Sequence, residues 1–261
     1  MSEKEGSAIW ESAKLAVLLV AGVGQRLHPL TLDRPKALVE VGGESMLARS
    51  VRLLVAHGVE EIVLATGFEE GALRAAMAGV PVPVSYCPNP MYRTTQNSVS
   101  LLACEAAVAG RSFYKLDGDL LYHPQVLSRL DAAGGGLRIA VDKGVVLGEE
   151  EMKVRLCVDG RRVEALGKGL DPERSDGESI GIERVDGDVV GVLFRGLRDA
   201  VGNGETHLYY EDVYGRMIER GVAAEAVDVS DLPWCEVDTM DDLVRAEAMA
   251  MVEMTGGDAE R

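Results

Sequence analysis

The amino-acid sequence predicts one α/β domain with a mixed, mostly parallel sheet flanked by helices. In the first half of the chain, short apolar runs alternate with stretches of helical composition, which is typical of parallel strands joined by crossover helices. In the second half, Asp159-Gly160 separates two strand-like segments, and this pair favours a tight hairpin turn. There is no internal repeat or long linker. We therefore assign the domain to 14–254, after a flexible leader at 1–13 and before a frayed tail at 255–261.

The first half begins with an apolar run at 14–21 that Gly22 ends. Its length and composition suit a strand buried on both faces of a parallel sheet. Ser45 is expected to cap a helix at 46–57, with Gly58 just past its end. The other elements predicted here are strands at 61–67, 82–86 and 112–119, a helix at 69–77, and a helix that Ser98 caps and that runs to 108.

The second half is predicted to add antiparallel strands and two late helices. Thr239, with Asp242 three residues later, predicts a capped helix at 240–254. The other segments are strands at 137–142 and 234–238, hairpin strands at 153–158 and 162–166, runs at 178–182 and 188–194, and a helix at 211–220.

The chain is strongly acidic, with 43 Asp and Glu residues, 27 Lys and Arg residues and a formal net charge of −16. This charge argues against a nucleic acid or an anionic membrane as partner. The polar start is unlike a signal peptide, and no apolar run approaches the ~20 residues that span a bilayer. We therefore expect a cytoplasmic protein. Its cysteines lack C-x-x-C spacing, which predicts free thiols.

A glycine-rich turn, Ala21-Gly22-Val23-Gly24, follows the first predicted strand. Such glycines let the backbone approach a ligand and direct N–H groups at phosphate oxygens. Leu27 replaces the third glycine of a dinucleotide-binding motif, and Pro29 blocks the helix that should follow. These two residues argue against an NAD-binding oxidoreductase.

Three basic residues, Arg26, Arg34 and Lys36, lie in the loop after this turn. In so acidic a chain, their clustering favours neutralisation of a triphosphate and of charge that builds up on a reacting phosphoryl group. From these residues alone, the alternative is an ordinary basic loop exposed to solvent.

The glycine turn and the basic loop together resemble the signature of the sugar-phosphate nucleotidyltransferase superfamily. The matching segments are 18–27, 34–39 and 41–43, and the resemblance extends from about 14 to about 246. Further segments resemble the phosphocholine cytidylyltransferase-like branch, at 96–101, 117–119, 178–182, 210–212 and 234–239. The resemblance implies a Rossmann-like fold of the nucleotide-diphospho-sugar transferase type.

Two aspartates, Asp119 and Asp238, end predicted strands that are distant in sequence. Open α/β sheets bind ligands beyond the carboxyl ends of their strands, and paired carboxylates suit Mg²⁺. By themselves, such aspartates could also cap a following element. The resemblance assigns both to Mg²⁺, and it assigns Arg26 and Lys36 to catalysis. Alternation along the strand puts Asp117 on the same side as Asp119.

The predicted nucleotide site combines the turn with residues before a later helix. Gln96 and Asn97 carry amides that can read a base edge, although a loop amide often satisfies its own backbone. The resemblance places this region near the nucleobase. The full set of predicted nucleotide-binding residues is Ala21, Gly22, Val23, Gly24, Gln96, Asn97, Ser98 and Asp117.

The predicted acceptor site is implied by the resemblance. Lys168, with Lys153 as a second contact, would bind the acceptor's phosphate, and Glu178, Glu211 and Asp212 would bind the rest of the molecule. Taken alone, either lysine would be an ordinary surface charge.

Met152 departs from the branch, because choline enzymes carry tryptophan at this position. A quaternary ammonium prefers an aromatic cage, which puts choline in doubt despite Tyr92, Tyr209 and Tyr210. The alternative acceptors are a primary amine, an aminoethylphosphonate and a polyol phosphate.

The resemblance implies a Mg²⁺-dependent transfer of CMP from CTP to a small phosphorylated or phosphonate acceptor, with release of pyrophosphate. One alternative is the same chemistry with UTP or GTP and a sugar 1-phosphate. Another is a catalytically silent nucleotide-sensing subunit, which the presence of Lys36, Asp119 and Asp238 opposes. The sequence is also compatible with a homodimer.

Overall fold

The computed structural model describes residues 13–256, with side chains described as far as Met251. The strands are β1 (Leu15–Leu19), β2 (Glu40–Val41), β3 (Glu44–Ser45), β4 (Glu61–Thr66), β5 (Val84–Pro88), β6 (Phe113–Asp117), β7 (Leu120–Tyr122), β8 (Leu137–Asp142), β9 (Lys153–Leu156), β10 (Val163–Leu166), β11 (Gly177–Val185), β12 (Ala224–Asp228) and β13 (Trp234–Glu236). The helices are α1 (Met46–Ala56), α2 (Glu70–Ala76), α3 (Asn97–Ala103), α4 (Glu105–Val108), α5 (Gln125–Ala132), α6 (Gly187–Gly202), α7 (Tyr210–Glu219) and α8 (Met240–Gly256). Short 3₁₀ helices occur at Gln25–Leu27, Lys36–Leu38 and Pro172–Arg174.

The predicted leader and tail fall almost entirely outside the described residues. Ala13, the last residue of the predicted leader, is buried. Helix α8 continues through 255–256, and the rest of the predicted tail is not among the described residues.

Nine strands form one mixed sheet in the order β10-β9-β11-β6-β1-β4-β5, with β8 also beside β11 and β12 beside β8. β1 is parallel to β4 and β6, β4 is parallel to β5, and β12 is parallel to β8. β11 is antiparallel to β6, β8 and β9. The predicted mixed sheet is therefore confirmed.

Helices cover both faces of this sheet. Along β1, Ala16 and Leu18 enter the core beneath α1, α2 and α5, whereas Leu15 and Val17 enter the core beneath α3, α6 and α7. This alternation explains why β1 is apolar throughout, since side chains on a strand point to opposite faces in turn.

A third, smaller core positions the loop after the glycine turn. Leu27 from this loop packs with Val41, Met46, Val237 and Ala250. These residues come from β2, α1, the segment after β13 and α8, so the basic loop is held against the late acidic strand.

The structure confirms two predicted helix caps. Ser45 Oγ accepts a hydrogen bond from the Ala48 N–H at the start of α1. At the start of α8, the Asp242 carboxylate accepts from the Thr239 N–H at 2.7 Å, and the Asp242 N–H donates to Thr239 Oγ1.

The predicted helix from Ser98 to 108 is wrong in its start and its continuity. α3 begins after Gln96, and a break at Cys104 separates it from α4. Ser98 Oγ donates to the Leu208 carbonyl oxygen at 2.6 Å and therefore does not cap its own helix.

The predicted hairpin is confirmed, because β9 and β10 pair antiparallel, but its turn is wider than the tight turn predicted at Asp159-Gly160. The six residues 157–162 connect β9 and β10, and the Cys157 N–H donates to the Arg162 carbonyl oxygen at 2.8 Å. Asp159 Oδ1 accepts from the Arg161 and Arg162 N–H groups, which stabilises the wider loop.

Two late segments also differ from expectation. Residues 188–194 lie within α6. The predicted strand at 234–238 ends at Glu236 and pairs with β7 outside the main sheet. Among residues 13–256, no helix is long and apolar enough to cross a membrane.

Candidate active site

A cleft of about 500 Å³ opens beyond the carboxyl ends of β1 and β6. This volume is in the usual range for small-molecule sites. Of the residues predicted from sequence, those lining it are Ala21, Gly22, Arg26, Lys36, Gln96, Asn97, Asp117, Asp119, Lys168, Glu178, Glu211 and Asp238. The sheet thus brings together residues from both halves of the chain.

The glycine turn lets the backbone close over Lys36. Gly24 has φ +71°, and a Cβ atom there would lie 2.7 Å from Lys36 Cβ. Any other residue would be strained in this conformation and would push on the lysine stem. Thr31 Oγ1 also donates to the Gly24 carbonyl oxygen at 2.7 Å, which fixes the turn to the basic loop.

Lys36 and Arg26 converge on the two predicted metal aspartates. Lys36 Nζ donates to Asp119 Oδ2 at 2.7 Å and also to Asp238 Oδ1. Arg26 Nη2 donates to Asp238 Oδ2 at 2.5 Å. Burial disfavours the charged lysine, but attraction by Asp119 and Asp238 outweighs it and raises the pKa of Lys36 above its ordinary value.

Glu236 joins these aspartates, and sequence reasoning did not assign it. Carboxylate oxygens of Asp119, Glu236 and Asp238 lie within 4.8 Å of one another. Asp119 Oδ1 is buried without a hydrogen-bond partner. Three converging carboxylates with one unsatisfied oxygen suit a hard divalent cation. The missed signal was alternation, because Glu236 stands two residues before Asp238 on an extended segment.

A fully buried lysine, Lys115, lies beneath the cleft on β6. Its Nζ is 3.2 Å from Asp117 Oδ2, 3.0 Å from Glu183 Oε2 and 3.5 Å from the centre of the Tyr210 ring. The Tyr210 hydroxyl donates to Asp117 Oδ2 at 3.0 Å. The sequence contains a signal for this group, namely a lysine inside an apolar strand. Because buried charges are almost always paired, such a lysine predicts carboxylates around it.

The opposite end of the cleft combines one lysine with several carboxyl groups. Lys168 Nζ lies 3.7 Å from Glu150 Oε2 and 4.9 Å from the centre of the Tyr209 ring. Glu211 also lines the cleft, but it lies near Lys115 and Asp117; burial raises its pKa to about 8, and its Oε2 has no hydrogen-bond partner. Burial, reinforced by Glu151 and Asp142, raises the pKa of Glu178 to about 7.

Five residues of the predicted site do not line the cleft, namely Val23, Gly24, Ser98, Lys153 and Asp212. Lys153 is buried, and its Nζ donates to the carbonyl oxygens of Gly148, Glu149 and Glu151, which uses all three protons. Lys153 therefore holds the loop at 148–151.

Asp212 and Asn97 make structural contacts at α7. Asp212 Oδ2 accepts from the Tyr209 N–H at 2.8 Å, at the start of the helix. Asn97 lines the cleft, but its Oδ1 accepts from the Tyr210 N–H at 3.0 Å. This leaves the amide N–H groups of Asn97, and not its oxygen, to face a ligand in the cleft.

Met152 is buried and lines the cleft, as do Tyr209 and Lys168. Tyr92 also lines it, at the side of the glycine turn. The Tyr210 ring is buried and packs over Lys115, so it is not available as the wall of an aromatic cage.

Curated relatives resemble this chain over most of its length. A bifunctional IPC transferase and DIPP synthase from Rubrobacter xylanophilus is 34% identical over 239 residues, which are 90% of this chain and 52% of the relative. The CMP-5'-(3-aminopropyl)phosphonate synthase of Streptomyces rubellomurinus is 28% identical over 246 residues, which are 89% of this chain and 38% of that enzyme. The chain thus spans about half or less of these relatives.

Solved structures and a family model agree with this similarity. The inositol-1-phosphate CTP transferase from T. maritima superposes with a TM-score of 0.75 at 19% identity, over 92% of this chain and 97% of its own, so it shares the fold. Residues 16–162 match the model of the MobA-like NTP transferase domain, and the predicted resemblance to nucleotidyltransferases is thereby confirmed. The chain belongs to the MobA-like NTP transferase domain family.

Proposed function

We propose that this chain transfers CMP from CTP to a small acceptor that carries a phosphate or phosphonate, with release of pyrophosphate and with Mg²⁺ as cofactor. The observation that carries the proposal is the convergence of Lys36 and Arg26 on Asp119 and Asp238 inside one cleft. A transfer between two anionic substrates needs cations and metal-binding carboxylates at the same point.

The reaction joins an acceptor oxygen to the α-phosphorus of CTP. The bond from that phosphorus to the bridging oxygen breaks, and its electron pair leaves with pyrophosphate. Because the acceptor oxygen is already anionic near neutral pH, no strong general base is required. Catalysis then consists of positioning and charge neutralisation.

The residues divide these tasks between them. Arg26 and Lys36 would donate to phosphate oxygens, and the backbone at Ala21 and Gly22 borders the same space. When held by Asp119, Glu236 and Asp238, Mg²⁺ supplies positive charge to the phosphate oxygens.

Two observations support a phosphorylated acceptor and CTP. Lys168 is the one lysine lining the far end of the cleft, within the described residues, and it can meet an acceptor phosphate. Glu178 and Glu211 also line the cleft and can accept hydrogen bonds from an amine or from hydroxyls. The names of the Streptomyces and T. maritima proteins refer to a CMP product and to CTP, which supports the cytidine nucleotide.

Pyrophosphate release tests this proposal. CTP, UTP, GTP and ATP are each offered with phosphocholine, aminoethylphosphonate, inositol phosphate and glucose 1-phosphate. We expect CTP to be preferred and phosphocholine to be poor, because Met152 gives a quaternary ammonium no aromatic wall. Preference for UTP or GTP with glucose 1-phosphate would replace the proposal with a sugar-nucleotide activity.

Two variants test the residue assignments with the best substrate pair. Lys36→Ala and Asp238→Ala should each lower kcat/KM at least about a hundredfold, since each removes a charge at the reacting phosphates. Arg195→Ala, which removes an exposed arginine on α6, is the control and should keep its activity. Near wild-type rates in either active-site variant would reject the assignment.

A further inference from the structure

The Lys36 ammonium lies between the carboxylates that the proposed function gives to the metal. Its side chain is 12% exposed and bonds Asp119 Oδ2 and Asp238 Oδ1. Its stem packs on the backbone of Gly24. The lysine is therefore held in place from both ends.

Most of the oxygens that a metal would need already bond to a basic side chain. Of the four carboxylate oxygens of Asp119 and Asp238, three accept hydrogen bonds from Lys36 or Arg26. The fourth, Asp119 Oδ1, is buried and unpartnered. A divalent cation that uses both aspartates must therefore bind an oxygen that already accepts from Lys36 or Arg26, which brings the cation close to that basic group.

A Lys36 ammonium beside such a cation needs another anion close by. In a site this enclosed, a divalent cation beside an unpaired ammonium is strongly repelled, because charges there are poorly screened. A triphosphate would solve this problem, since its oxygens can bind the metal and the ammonium together.

We propose that Lys36 is the built-in counter-cation of the Asp119–Asp238 pair, so that the metal binds tightly only together with a nucleoside triphosphate. This inference rests on the proposed function, which assigns the aspartates to the metal. It adds an order to binding: metal and nucleotide enter as one complex, and Lys36 moves from carboxylate to phosphate.

Mn²⁺ binding, followed by the electron paramagnetic resonance signal of the free ion, tests the inference without any turnover. In the absence of nucleotide, Lys36→Met should bind Mn²⁺ at least about tenfold more tightly than the wild-type chain. Arg195→Met removes the same charge from an exposed position on α6, outside the cleft, and should bind like the wild type. Lys36→Arg, which keeps the charge, should also bind weakly.

A double variant identifies which oxygens bind the ion. Adding Asp238→Asn to Lys36→Met should abolish the gain, because the gained affinity is for that carboxylate. With the wild-type chain, added CTP should raise Mn²⁺ binding by at least about tenfold beyond the binding by free CTP. This last measurement needs no variant, so it holds even if Lys36→Met fails to fold.

Mn²⁺ binding also distinguishes failure of the counter-cation role from failure of the metal assignment. If wild type and Lys36→Met bind Mn²⁺ equally without nucleotide, and both lose it with Asp238→Asn, the counter-cation role is wrong and the metal site stands. If no form of the chain binds Mn²⁺ through Asp238, with or without CTP, the metal assignment in the proposed function is wrong.

Discussion

Single residues differ in how far local sequence reveals their role. Arg26, Lys36, Asp119 and Asp238 were predicted for one site, and their side chains contact one another in the structure. Lys153 was predicted for the same cleft, but its ammonium binds three carbonyl oxygens of a neighbouring loop. Residue type predicts chemistry, whereas the direction of a lysine stem depends on loop geometry that the local sequence does not encode.

Substitution of Lys115 tests how much its buried ion pairs with Asp117 and Glu183 contribute to stability. Lys115→Met should lower the free energy of unfolding by about 3–5 kcal/mol, because it leaves the carboxyl groups of Asp117 and Glu183 buried without their cation. Urea denaturation measures this change. Arg195→Met, at an exposed position, is the control. A loss below about 1 kcal/mol would mean that the ion pairs contribute little to stability.

The elements follow the apolar pattern of the sequence, but several of their ends do not. Strands such as β1 and β4 are predicted well because burial on both faces demands an unbroken apolar run. The α3 start and the loop at 157–162 were missed because side chains of Ser98 and Asp159 bond to particular backbone groups. Those partners become visible only once the chain is folded.

The irregularity in β11 at Gly181 is an element-scale feature that positions the cleft floor. The pairing register between β11 and β8 shifts between Ser179 and Glu183. Gly181 has φ +76°, and a Cβ atom there would lie 2.5 Å from Asp117 Oδ2. The strand therefore bends where the carboxylate of Asp117 needs room, and only glycine suits both conditions.

Gly181→Ala tests this arrangement. It should lower the free energy of unfolding by about 1–3 kcal/mol through backbone strain. It should also lower kcat/KM at least about tenfold, because Asp117 must move. Melting curves and the pyrophosphate assay measure the two effects. Gly191→Ala, in α6 with no atom within 4 Å of the added Cβ, should be neutral or stabilising. Equal behaviour of the two variants would contradict the role of this bend.

At the scale of the whole molecule, the class of fold was predictable and the strand order was not. Alternating strands and helices predicted the parallel part of the sheet, because a crossover helix leaves few other arrangements. The pairing of β13 with β7, which brings Asp238 to Asp119, joins segments more than a hundred residues apart. Only the packing of the complete chain determines such a pairing.

The balance of buried charge predicts how stability depends on pH. Three carboxyl groups, of Asp117, Glu183 and Glu211, surround the single ammonium of Lys115. Burial raises the pKa of Glu183 to about 7 and that of Glu211 to about 8, from ordinary values of 4.5. Between these limits, the folded chain holds protons that the unfolded chain has released. We therefore expect these groups to lower the free energy of unfolding as the pH rises from about 5 to about 8.

Glu211→Gln removes one of these titrating carboxyl groups. The free energy of unfolding of this variant should therefore decrease less steeply with pH. A difference of one bound proton corresponds to a slope of about 1.4 kcal/mol for each pH unit. We expect the slope of the variant to be less steep than that of the wild type by up to about 1 kcal/mol for each pH unit. Urea denaturation of both forms from pH 5 to pH 9 measures it. Glu219→Gln, at an exposed position on α7, should keep the wild-type slope. If Glu211→Gln also keeps it, folding does not raise the pKa of Glu211, and this carboxyl group plays no part in the pH dependence.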